Sequence, residues 1–560
     1  MMARGGRLPW VLMRPASPDR HRTRPVLVVV AIAAGLLMIA RPLTAIDVLV
    51  LAAIAGLALG GAYEIVTTHR RRNRVAGVGL LVGAVVLALQ PAWGVRLLTF
   101  ALAAGLLWLG AGRIRRRRGT DVALGLGFVL LGVLALAWPD VTVFVMGVLL
   151  GVGLLLFAFP RARTLVPTPV LAAVLLVLGT GLSAYTVHVT TWAPRPDDFY
   201  SAPRDTVRSP GLLLRAEPFT TDVPDGVRAW RILYSTTRTN GDAVVASALV
   251  AVPRDQLRAR TPVIAWAHGT TGLRRRCAPS LRTSNTIGAG GTDAVHAALE
   301  RGWAVVAPDY PGLGTRGVQP YLVGSGEARS VLDAVRAARR IPQVDLGRRT
   351  TVWGHSQGGH AALWTAMTQP EYAPDVRLAG VAAISPVSSP ATFLRDLQRR
   401  PVGTIFVAYA LAAYQGTYDD VNVGDHVRAS ARIPLERIAD RCLRSPAARV
   451  SLTEAEIMAD RFVKGSLYEG GLGRRLSEND ATGAMDAPVL IAQGEADRVV
   501  TLRLQDDYVR DRCEAGQSLD YRTYPGRGHG DLLRESSPFV DELLTWTADR
   551  FASRPTTTTC

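Results

Sequence analysis

Ser356 lies in a stretch that could make it a nucleophile. It is the central residue of Gly-His-Ser-Gln-Gly, residues 354–358, between an apolar β-type run at 351–353 and a helix-forming run at 361–367. A G-x-S-x-G motif between a strand and a helix is typical of a nucleophile elbow, a tight turn that exposes the serine Oγ above the end of a sheet. Glycine at each end of the motif avoids Cβ collisions in this turn. The sequence therefore predicts that the Ser356 hydroxyl attacks a carbonyl carbon.

His529 is the predicted base. A serine hydroxyl becomes a good nucleophile only when a base takes its proton. In the chain order that accompanies this motif, the acid and then the histidine follow the serine. His529 lies in Gly-Arg-Gly-His-Gly, directly after the last predicted strand. The alternatives fit this order less well, because His268 precedes the serine and because His355 and His360 belong to the elbow and its helix.

Asp497 is the predicted acid. The strand predicted at 489–492 is followed by Gln-Gly-Glu-Ala-Asp-Arg, which contains two carboxylates. Asp497 is preferred because residues 494–497, Gly-Glu-Ala-Asp, match the G-x-x-D pattern of this loop in enzymes with a G-x-S-x-G nucleophile elbow. Glu495 remains the alternative. The carboxylate would hold His529 in the tautomer that accepts the serine proton, and it would stabilise the imidazolium.

Backbone N–H groups are expected to bind the oxyanion that forms during the reaction. One should be the N–H of Gln357, the residue after the serine. The other should come from the loop after the third predicted strand, His-Gly-Thr-Thr-Gly at 268–272, where glycine lets N–H groups turn inward. Gly269 and Thr270 are both candidates for this second donor.

Alternating strands and helices are predicted to position these residues. An antiparallel hairpin is expected at 227–237 and 243–252, with Asn-Gly at its turn. Further strands are predicted at 263–267, 304–307, 351–353, 380–384, 489–492 and 519–524, and helices at 292–301, 325–340, 357–369, 501–513 and 535–551. Apolar strands separated by helices indicate a mostly parallel sheet covered on both faces. With the entry hairpin, this is the α/β-hydrolase arrangement.

A long, mostly helical insertion interrupts this alternation at about 387–486. An insertion at the carboxyl edge of a sheet lies over the ligand crevice and can act as a lid. Its aromatic side chains could line an acyl pocket or form the core of the insertion, and the sequence favours neither interpretation. These residues are Phe393, Phe406, Tyr409, Tyr414, Tyr418, Phe462 and Tyr468.

Four motifs together resemble those of the secretory lipase family of fungi and actinobacteria. They are His-Gly-Thr-Thr-Gly at 268–272, Cys-Ala-Pro-Ser at 277–280, Pro-Asp-Tyr-Pro-Gly-Leu-Gly at 308–314 and Gly-His-Ser-Gln-Gly-Gly-His at 354–360. The resemblance covers about 200–552. It implies an α/β-hydrolase with a helical lid that acts on carboxylic esters, acylglycerols included.

The chain has four cysteines: Cys277, Cys442, Cys513 and Cys560. Four cysteines allow three pairings, and the sequence by itself does not choose among them. The resemblance to secretory lipases implies a disulfide between Cys277 and Cys442.

The N-terminal third has the pattern of a membrane domain. Residues 1–190 contain 19 Arg and five acidic residues, and so they carry +14 of the net charge of +18. These arginines interrupt long apolar runs, which is typical of membrane proteins and not of a nucleic-acid surface. Seven spans are predicted, at about 25–41, 43–66, 75–90, 92–112, 120–138, 140–160 and 167–191. The other predicted parts are a cytoplasmic Arg-rich tail at 1–24, a linker at 192–212, the hydrolase domain at 213–552 and a tail at 553–560.

Arginine placement predicts the orientation of these spans. The arginine clusters fall in every second connection, at 4–24, 70–74, 113–118 and 161–163. By the positive-inside rule, these connections and the N-terminus are cytoplasmic. Seven spans then place the hydrolase domain outside the cytoplasm, where disulfides persist.

The predicted spans also contain an internal repeat. Pro42, Pro91 and Pro139 recur at intervals of 49 and 48 residues. Each proline is expected at the outer turn of a helical hairpin, whose small residues allow close packing. Three such hairpins, over about 25–163, resemble the bacterial acid-resistance membrane-protein family, which has short repeats and six spans. The seventh span is then an added tether, and the helices are expected to serve as an anchor.

These features predict a membrane-tethered serine ester hydrolase, a lipase or carboxylesterase that acts on lipid-like carboxylic esters through an acyl-enzyme. Two alternatives remain: an acyltransferase on cell-envelope lipids, which would use the same residues, and a non-catalytic membrane binding module. No group of residues has the spacing of metal ligands, and so neither a metal nor a cofactor is predicted. The expected partners are the ester substrate and the lipid bilayer, without nucleic acid.

Overall fold

The structure is a computed structural model. The chain forms two compact units, Met1–Leu182 and Ser183–Cys560. The first unit contains most of the predicted spans, and the second contains the predicted hydrolase domain. The structure describes residues 20–67, 71–138, 194–203, 209–284, 287–398, 400–458 and 462–560, with scattered positions between 151 and 185.

Five long helices of the first unit are described. They are α1 Arg20–Ala40, α2 Pro42–Thr67, α3 Arg71–Leu89, α4 Pro91–Ile114 and α5 Gly119–Ala137. These helices correspond to the first five predicted spans. Pro42 and Pro91 begin α2 and α4, where a missing N–H costs no helical hydrogen bond and the fixed φ suits a helix start.

Four helices of the described residues are long and apolar enough to cross a membrane. They cover Ile46–Thr67, Arg72–Leu89, Pro91–Ile114 and Gly119–Ala137. The apolar part of α1, Val28–Ala40, is shorter than the roughly 17 residues that a span needs. The sixth and seventh predicted spans lie largely outside the described residues. The described residues thus contain four candidate spans, whereas seven were predicted for the whole chain.

The helices pair differently from the predicted hairpins. The closest packing joins α2 to α3 and α4 to α5, rather than the helices that flank Pro42 or Pro91. Glycine pairs explain this difference. A Cβ atom at Gly61 would lie 2.7 Å from the carbonyl oxygen of Gly77, and one at Gly110 would lie 2.7 Å from that of Gly125. Because glycine lets two backbones touch, these helices approach one another more closely than side chains would allow.

A mixed nine-stranded sheet forms the centre of the second unit. Its strands are β1 Leu213–Phe219, β2 Val227–Thr237, β3 Ala243–Pro253, β4 Thr261–Ala267, β5 Ala304–Pro308, β6 Leu346–His355, β7 Arg377–Ile384, β8 Val489–Gly494 and β9 Asp520–Tyr524. Their spatial order is β1-β2-β3-β5-β4-β6-β7-β8-β9. The pairs β1–β2, β2–β3 and β3–β5 are antiparallel. The pairs β5–β4, β4–β6, β6–β7, β7–β8 and β8–β9 are parallel. The predicted hairpin and parallel strands are confirmed, whereas β1 was not predicted.

Helices cover both faces of this sheet. The helices of the second unit are, in chain order, α6 Thr292–Glu300, α7 Gly324–Ala338, α8 Gln357–Tyr372, α9 Pro390–Leu397, α10 Pro401–Thr417, α11 Val423–His426, α12 Ala429–Asp440, α13 Ala448–Met458, α14 Gly470–Glu478, α15 Leu502–Glu514 and α16 Pro538–Phe551. Side chains of α7, α8 and α15 pack on one face, and those of α6 and α16 pack on the other. Alternate residues of β4 enter these two cores, which explains why the strand is apolar throughout.

The predicted insertion is largely helical, with α9 to α14 between β7 and β8. Its aromatic side chains contact one another and the rest of the domain. The Phe393 and Phe406 rings are 5.8 Å apart. Tyr414 donates a hydrogen bond to the carbonyl oxygen of Leu322, and Tyr409 donates one to that of Arg441. This packing favours the interpretation that the aromatic residues form the core of the insertion.

Candidate active site

Ser356 occupies a strained turn between β6 and α8. Its φ is 59° and its ψ is −117°, a combination that residues with a side chain rarely adopt. The flanking glycines are required sterically. A Cβ atom at Gly354 would lie 1.9 Å from the carbonyl oxygen of Gly358, and one at Gly358 would lie 1.8 Å from that of Ala267. The turn has the form predicted for the elbow, and the backbone fixes the position of the serine.

The structure brings the three predicted triad residues together, although they are far apart in the sequence. His529 Nε2 lies 2.9 Å from Ser356 Oγ. His529 Nδ1 lies 2.7 Å from Asp497 Oδ2. Asp497 follows β8 and His529 follows β9, which are neighbouring parallel strands, and so the two loops meet at the carboxyl edge of the sheet. Ser356 reaches this same edge at the end of β6.

Asp497 is arranged to stay ionised. Its side chain is 0% exposed, and burial alone would raise its pKa. The hydrogen bond and charge of His529 and the N–H groups of Val499 and Val500 outweigh burial and lower the pKa of Asp497. An ionised carboxylate accepts a hydrogen bond from Nδ1–H, which leaves Nε2 free to accept the hydrogen bond of the serine hydroxyl. The alternative acid Glu495 instead accepts a hydrogen bond from Thr523 Oγ1, away from His529.

His355, which chain order excluded as the base, holds His529 in place. Its Nε2–H donates to the carbonyl oxygen of His529 at 2.7 Å, and the two rings lie 4.8 Å apart. Burial, followed by the nearby charge of His529, lowers the pKa of His355 to about 3. The imidazole is therefore neutral near pH 7 and serves as a hydrogen-bond donor. No sequence signal separates this role from that of an ordinary elbow residue.

Glu327 on α7 supports the start of α8, although no sequence motif predicts this role. Gln357 Nε2 donates to Glu327 Oε1 at 2.7 Å, and His360 Nδ1 lies 2.8 Å from Glu327 Oε2. Burial raises the pKa of Glu327, while the contacts with His360 and Gln357 oppose this rise. His360, another histidine that chain order excluded as the base, therefore contacts Glu327, and its second nitrogen lies 2.8 Å from the carbonyl oxygen of Asn479.

The predicted oxyanion-hole residues surround the elbow. Gln357 begins α8, and the first N–H groups of a helix have no partner within the helix. A Cβ atom at Gly269 would lie 3.6 Å from Ser356 Cβ, which places this glycine beside the serine. Thr270 Oγ1 donates to the Tyr321 hydroxyl at 3.2 Å, which fixes the same loop. Gly269 and Thr270 both remain candidates for the second donor.

Two disulfides are present. Cys277 is bonded to Cys442, as the resemblance implied, and Cys513 is bonded to Cys560, which was not predicted. The first bond joins the insertion to the segment that follows the loop at 268–272, which contains the candidate donors Gly269 and Thr270 and is called the oxyanion loop below. Beside it, the N–H of Leu443 donates to the carbonyl oxygen of Thr271 at 2.9 Å. The insertion is thus hydrogen-bonded to the loop at 268–272 and covalently bonded to the segment that follows it.

Comparisons with known proteins agree with this arrangement. The secretory lipase family model matches residues 281–559. This match does not reach the N-terminal helices, and so their resemblance to the acid-resistance family remains a prediction.

Two curated relatives are similar over most of their length. A protein named as a probable inactive lipase, from Mycobacterium tuberculosis, is 28% identical over 384 residues, which cover 65% of this chain and 84% of the relative. A secreted triacylglycerol lipase of Malassezia globosa is 26% identical over 397 residues, which cover 65% of this chain and 81% of the relative.

A solved structure shares the fold. Lipase A of Candida antarctica, in its closed state, superposes with a TM-score of 0.55 at 21% identity, over 65% of this chain and 88% of that chain. The C-terminal region of this chain, with its mixed sheet and strained serine turn, is thus similar to the secretory lipase family, whose model matches residues 281–559.

Proposed function

We propose that this protein is a serine carboxylic-ester hydrolase that acts on lipid-like esters through an acyl-enzyme. The observation that carries the proposal is the continuous hydrogen-bonded chain from Ser356 Oγ through both nitrogens of His529 to the buried Asp497. The strained turn at Ser356 adds to it, because strain of this kind clusters at active sites. The names of the lipase relatives support a lipid-like ester as the substrate.

In the proposed reaction, Ser356 Oγ attacks the ester carbonyl carbon as His529 Nε2 takes its proton. The N–H of Gln357 and that of Gly269 or Thr270 stabilise the oxyanion of the tetrahedral intermediate. His529 then gives the proton to the leaving alcohol, and the acyl group remains on Ser356. Water attacks this acyl-enzyme with His529 as the base, and the collapse of the second intermediate releases a carboxylic acid and restores the serine.

A fluorophosphonate probe tests whether the serine is activated. We expect the full chain, purified in detergent, to be labelled covalently at Ser356, because a serine that a neighbouring base deprotonates attacks the phosphorus of the probe and displaces fluoride. The labelled peptide can be identified by mass spectrometry, and prior denaturation should prevent the reaction. The Mycobacterium tuberculosis relative is named as a probable inactive lipase, and so this chain is also compared with the alternative of a domain that does not catalyse hydrolysis. A folded protein that the probe does not label would favour that alternative.

We propose further that the N-terminal helices tether the hydrolase to a membrane and place it outside the cytoplasm. Large apolar side chains, including Leu59, Leu89 and Trp108, are exposed on these helices, as expected for contact with lipid. The arginine clusters at 71–74 and 113–118 favour the cytoplasmic side. Two disulfides in the second unit fit an oxidising compartment.

Reporter fusions test this orientation. Alkaline phosphatase fused after residue 195 should be active, because its own disulfides form only outside the cytoplasm. The same reporter fused after Arg116, in the segment between α4 and α5, should be inactive. The reverse pattern would place the hydrolase domain in the cytoplasm.

A further inference from the structure

Gln357 is held by its side chain as well as by its backbone. Its N–H is one of the two donors expected to meet the oxyanion, and the other comes from the oxyanion loop. Its side-chain Nε2 donates to Glu327 Oε1 at 2.7 Å, and the N–H of Leu322 donates to the same oxygen at 3.0 Å. Gln357 is 1% exposed and Glu327 is 0% exposed. The residue whose N–H is needed for the reaction is therefore anchored to a buried carboxylate on α7.

His360, three residues further along α8, continues this hydrogen-bond network. Its Nδ1 lies 2.8 Å from Glu327 Oε2, and its Nε2 lies 2.8 Å from the carbonyl oxygen of Asn479. A carbonyl oxygen only accepts, and so Nε2 carries a proton. A second proton must lie between Nδ1 and Oε2, because two lone pairs would repel each other at this distance. Whichever of the two atoms holds this proton, the pair is neutral overall, which avoids an unpaired charge in the core.

Asn479 connects this network to the predicted insertion. It directly follows α14, the last helix of the insertion, and is 3% exposed. Its carbonyl oxygen accepts from His360 and also from Trp364 Nε1, the latter at 3.0 Å. Its side-chain Oδ1 accepts the N–H of Gly324, the first residue of α7, at 2.9 Å. One asparagine of the insertion thus contacts both α7, which carries Glu327, and α8, which begins with Gln357.

The amino group of the Asn479 side chain is bonded within the insertion. Nδ2 donates to the hydroxyl of Tyr418 and to the carbonyl oxygen of Arg475, both at 2.8 Å. The Tyr418 ring lies 5.5 Å from that of Tyr414, which is fully buried in the insertion. The side-chain amide therefore has partners for both N–H groups and for its oxygen. A buried polar network that is satisfied in this way holds its members in one arrangement.

We propose that Glu327, His360 and Asn479 are positioning residues, through which the insertion holds the N–H of Gln357 where the oxyanion forms. This inference rests on the proposed hydrolysis at Ser356. A continuous path runs from Asn479 through His360 and Glu327 to Gln357, and each of its contacts is 2.7 or 2.8 Å long. The insertion thus fixes one half of the oxyanion hole, in addition to its predicted task of covering the site. A small displacement of this donor is costly, because the N–H must point at an oxygen that becomes charged only as the reaction proceeds.

Two substitutions at Glu327 separate hydrogen bonding from charge. Glu327→Leu removes the acceptor of Gln357, and kcat for 4-nitrophenyl butyrate should fall about 30-fold, less than the roughly 100-fold or larger loss of an oxyanion donor itself. KM should stay within about twofold, because the ground-state carbonyl carries little charge. In Glu327→Gln the amide oxygen still accepts from Gln357, and the amide N–H donates to His360 Nδ1. This variant should recover most of the lost kcat, to within about fivefold of the wild type.

A transition-state analogue reports on the oxyanion hole directly. Ser356 Oγ adds to the carbonyl carbon of 1,1,1-trifluoropentan-2-one as His529 takes its proton, and the ketone oxygen becomes the bound oxyanion. The inhibition constant should rise in Glu327→Leu by about the same factor as kcat/KM falls. Asn479→Ala should change both quantities in the same direction, by about tenfold, as expected for hydrogen bonds lost from a buried network. A residue that only stabilises the fold would lower the unfolding temperature without this correlation.

Glu371→Leu is the control, because Glu371 is an exposed glutamate at the other end of α8. Its kcat, KM and inhibition constant should stay within about twofold of those of the wild type. Gln357→Met keeps the backbone N–H and removes the side-chain donor, and so it tests the same anchor even where Glu327→Leu fails to fold. Its kcat should also fall about 30-fold.

All variants are measured as the full chain in detergent, with circular dichroism to identify the folded ones. A folded Gln357→Met protein with the kcat of the wild type would overturn the inference, as would equal losses in Glu327→Leu and Glu327→Gln. A fall in kcat without a matching rise in the inhibition constant would also refute it, since the oxyanion hole would then be intact. A wild type that hydrolyses no ester would instead refute the proposed function itself.

Discussion

Ser356→Ala should reduce ester hydrolysis about 10,000-fold or more in kcat, because no other group can form the acyl-enzyme. Alanine keeps the Cβ atom and the strained turn, and so the domain should fold normally. Activity towards 4-nitrophenyl butyrate, measured with the full chain in detergent, would show the loss. Thermal unfolding of the variant should match that of the wild type within a few degrees.

Ser477→Ala provides the matched control. Ser477 is on α14, where its hydroxyl donates to the carbonyl oxygen of Gly473, and it has no role in the proposed reaction. Its activity should stay close to that of the wild type. Adding His529→Ala to Ser356→Ala should cause little further loss, because the two side chains act as one unit. A Ser356→Ala protein that kept a tenth of the activity would rule out Ser356 as the nucleophile.

Asp497→Asn should have the second largest effect, a loss of about 10,000-fold in kcat near pH 7. The asparagine carbonyl oxygen can keep the hydrogen bonds from Val499 and Val500, which turns the amide NH₂ towards His529 Nδ1. Nδ1 must then accept a hydrogen bond, and so the proton moves to Nε2. In this tautomer His529 can no longer accept the proton of the serine.

Glu495→Gln is the matched control for this change. Glu495 is two residues from Asp497, and its carboxylate accepts a hydrogen bond from Thr523 on β9. The Glu495→Gln variant should therefore keep its activity within about twofold of the wild type. Steady-state kinetics of both variants, with circular dichroism as a check of folding, provide the comparison. Loss of activity in Glu495→Gln with retention in Asp497→Asn would reverse the assignment of the acid.

The parallel part of the sheet could be predicted because it is buried on both faces. Strands such as β4 and β8 are apolar at nearly every position, and turn or helix signals bound them. β1 gives no such signal, because it is an edge strand that includes Arg215 and Pro218 and is partly exposed. Edge strands tolerate proline and charge, since one side forms no ladder hydrogen bonds.

The pairing of the N-terminal helices was not predictable from proline spacing alone. The prolines mark where one helix ends and the next begins, but they do not determine which helices touch. That choice depends on glycines at Gly61, Gly77, Gly110 and Gly125, which meet only in three dimensions. Many other glycines in these helices have open space around them, and the sequence alone does not distinguish the two groups.

At the site, chain order predicted that Asp497 and His529 lie beside Ser356, and the structure brings the three together because the fold constrains where each loop emerges. The same rule set aside His355, although this residue fixes the backbone of His529. Glu327 was missed because it is separated from Gln357 in the chain and meets it only when α7 packs beside α8. Supporting residues of this kind depend on packing, whereas the reacting residues follow a motif.

The two disulfides have a consequence for the integrity of the polypeptide. One closes a loop over residues 277–442, which contains Ser356, and the other closes a loop over 513–560, which contains His529. A protease that cuts once within either loop therefore breaks the chain without releasing a fragment. In a compartment that exposes the domain to degradation, a molecule cut within either loop keeps Ser356 and His529 covalently connected, whereas a cut between Cys442 and Cys513 breaks their covalent connection.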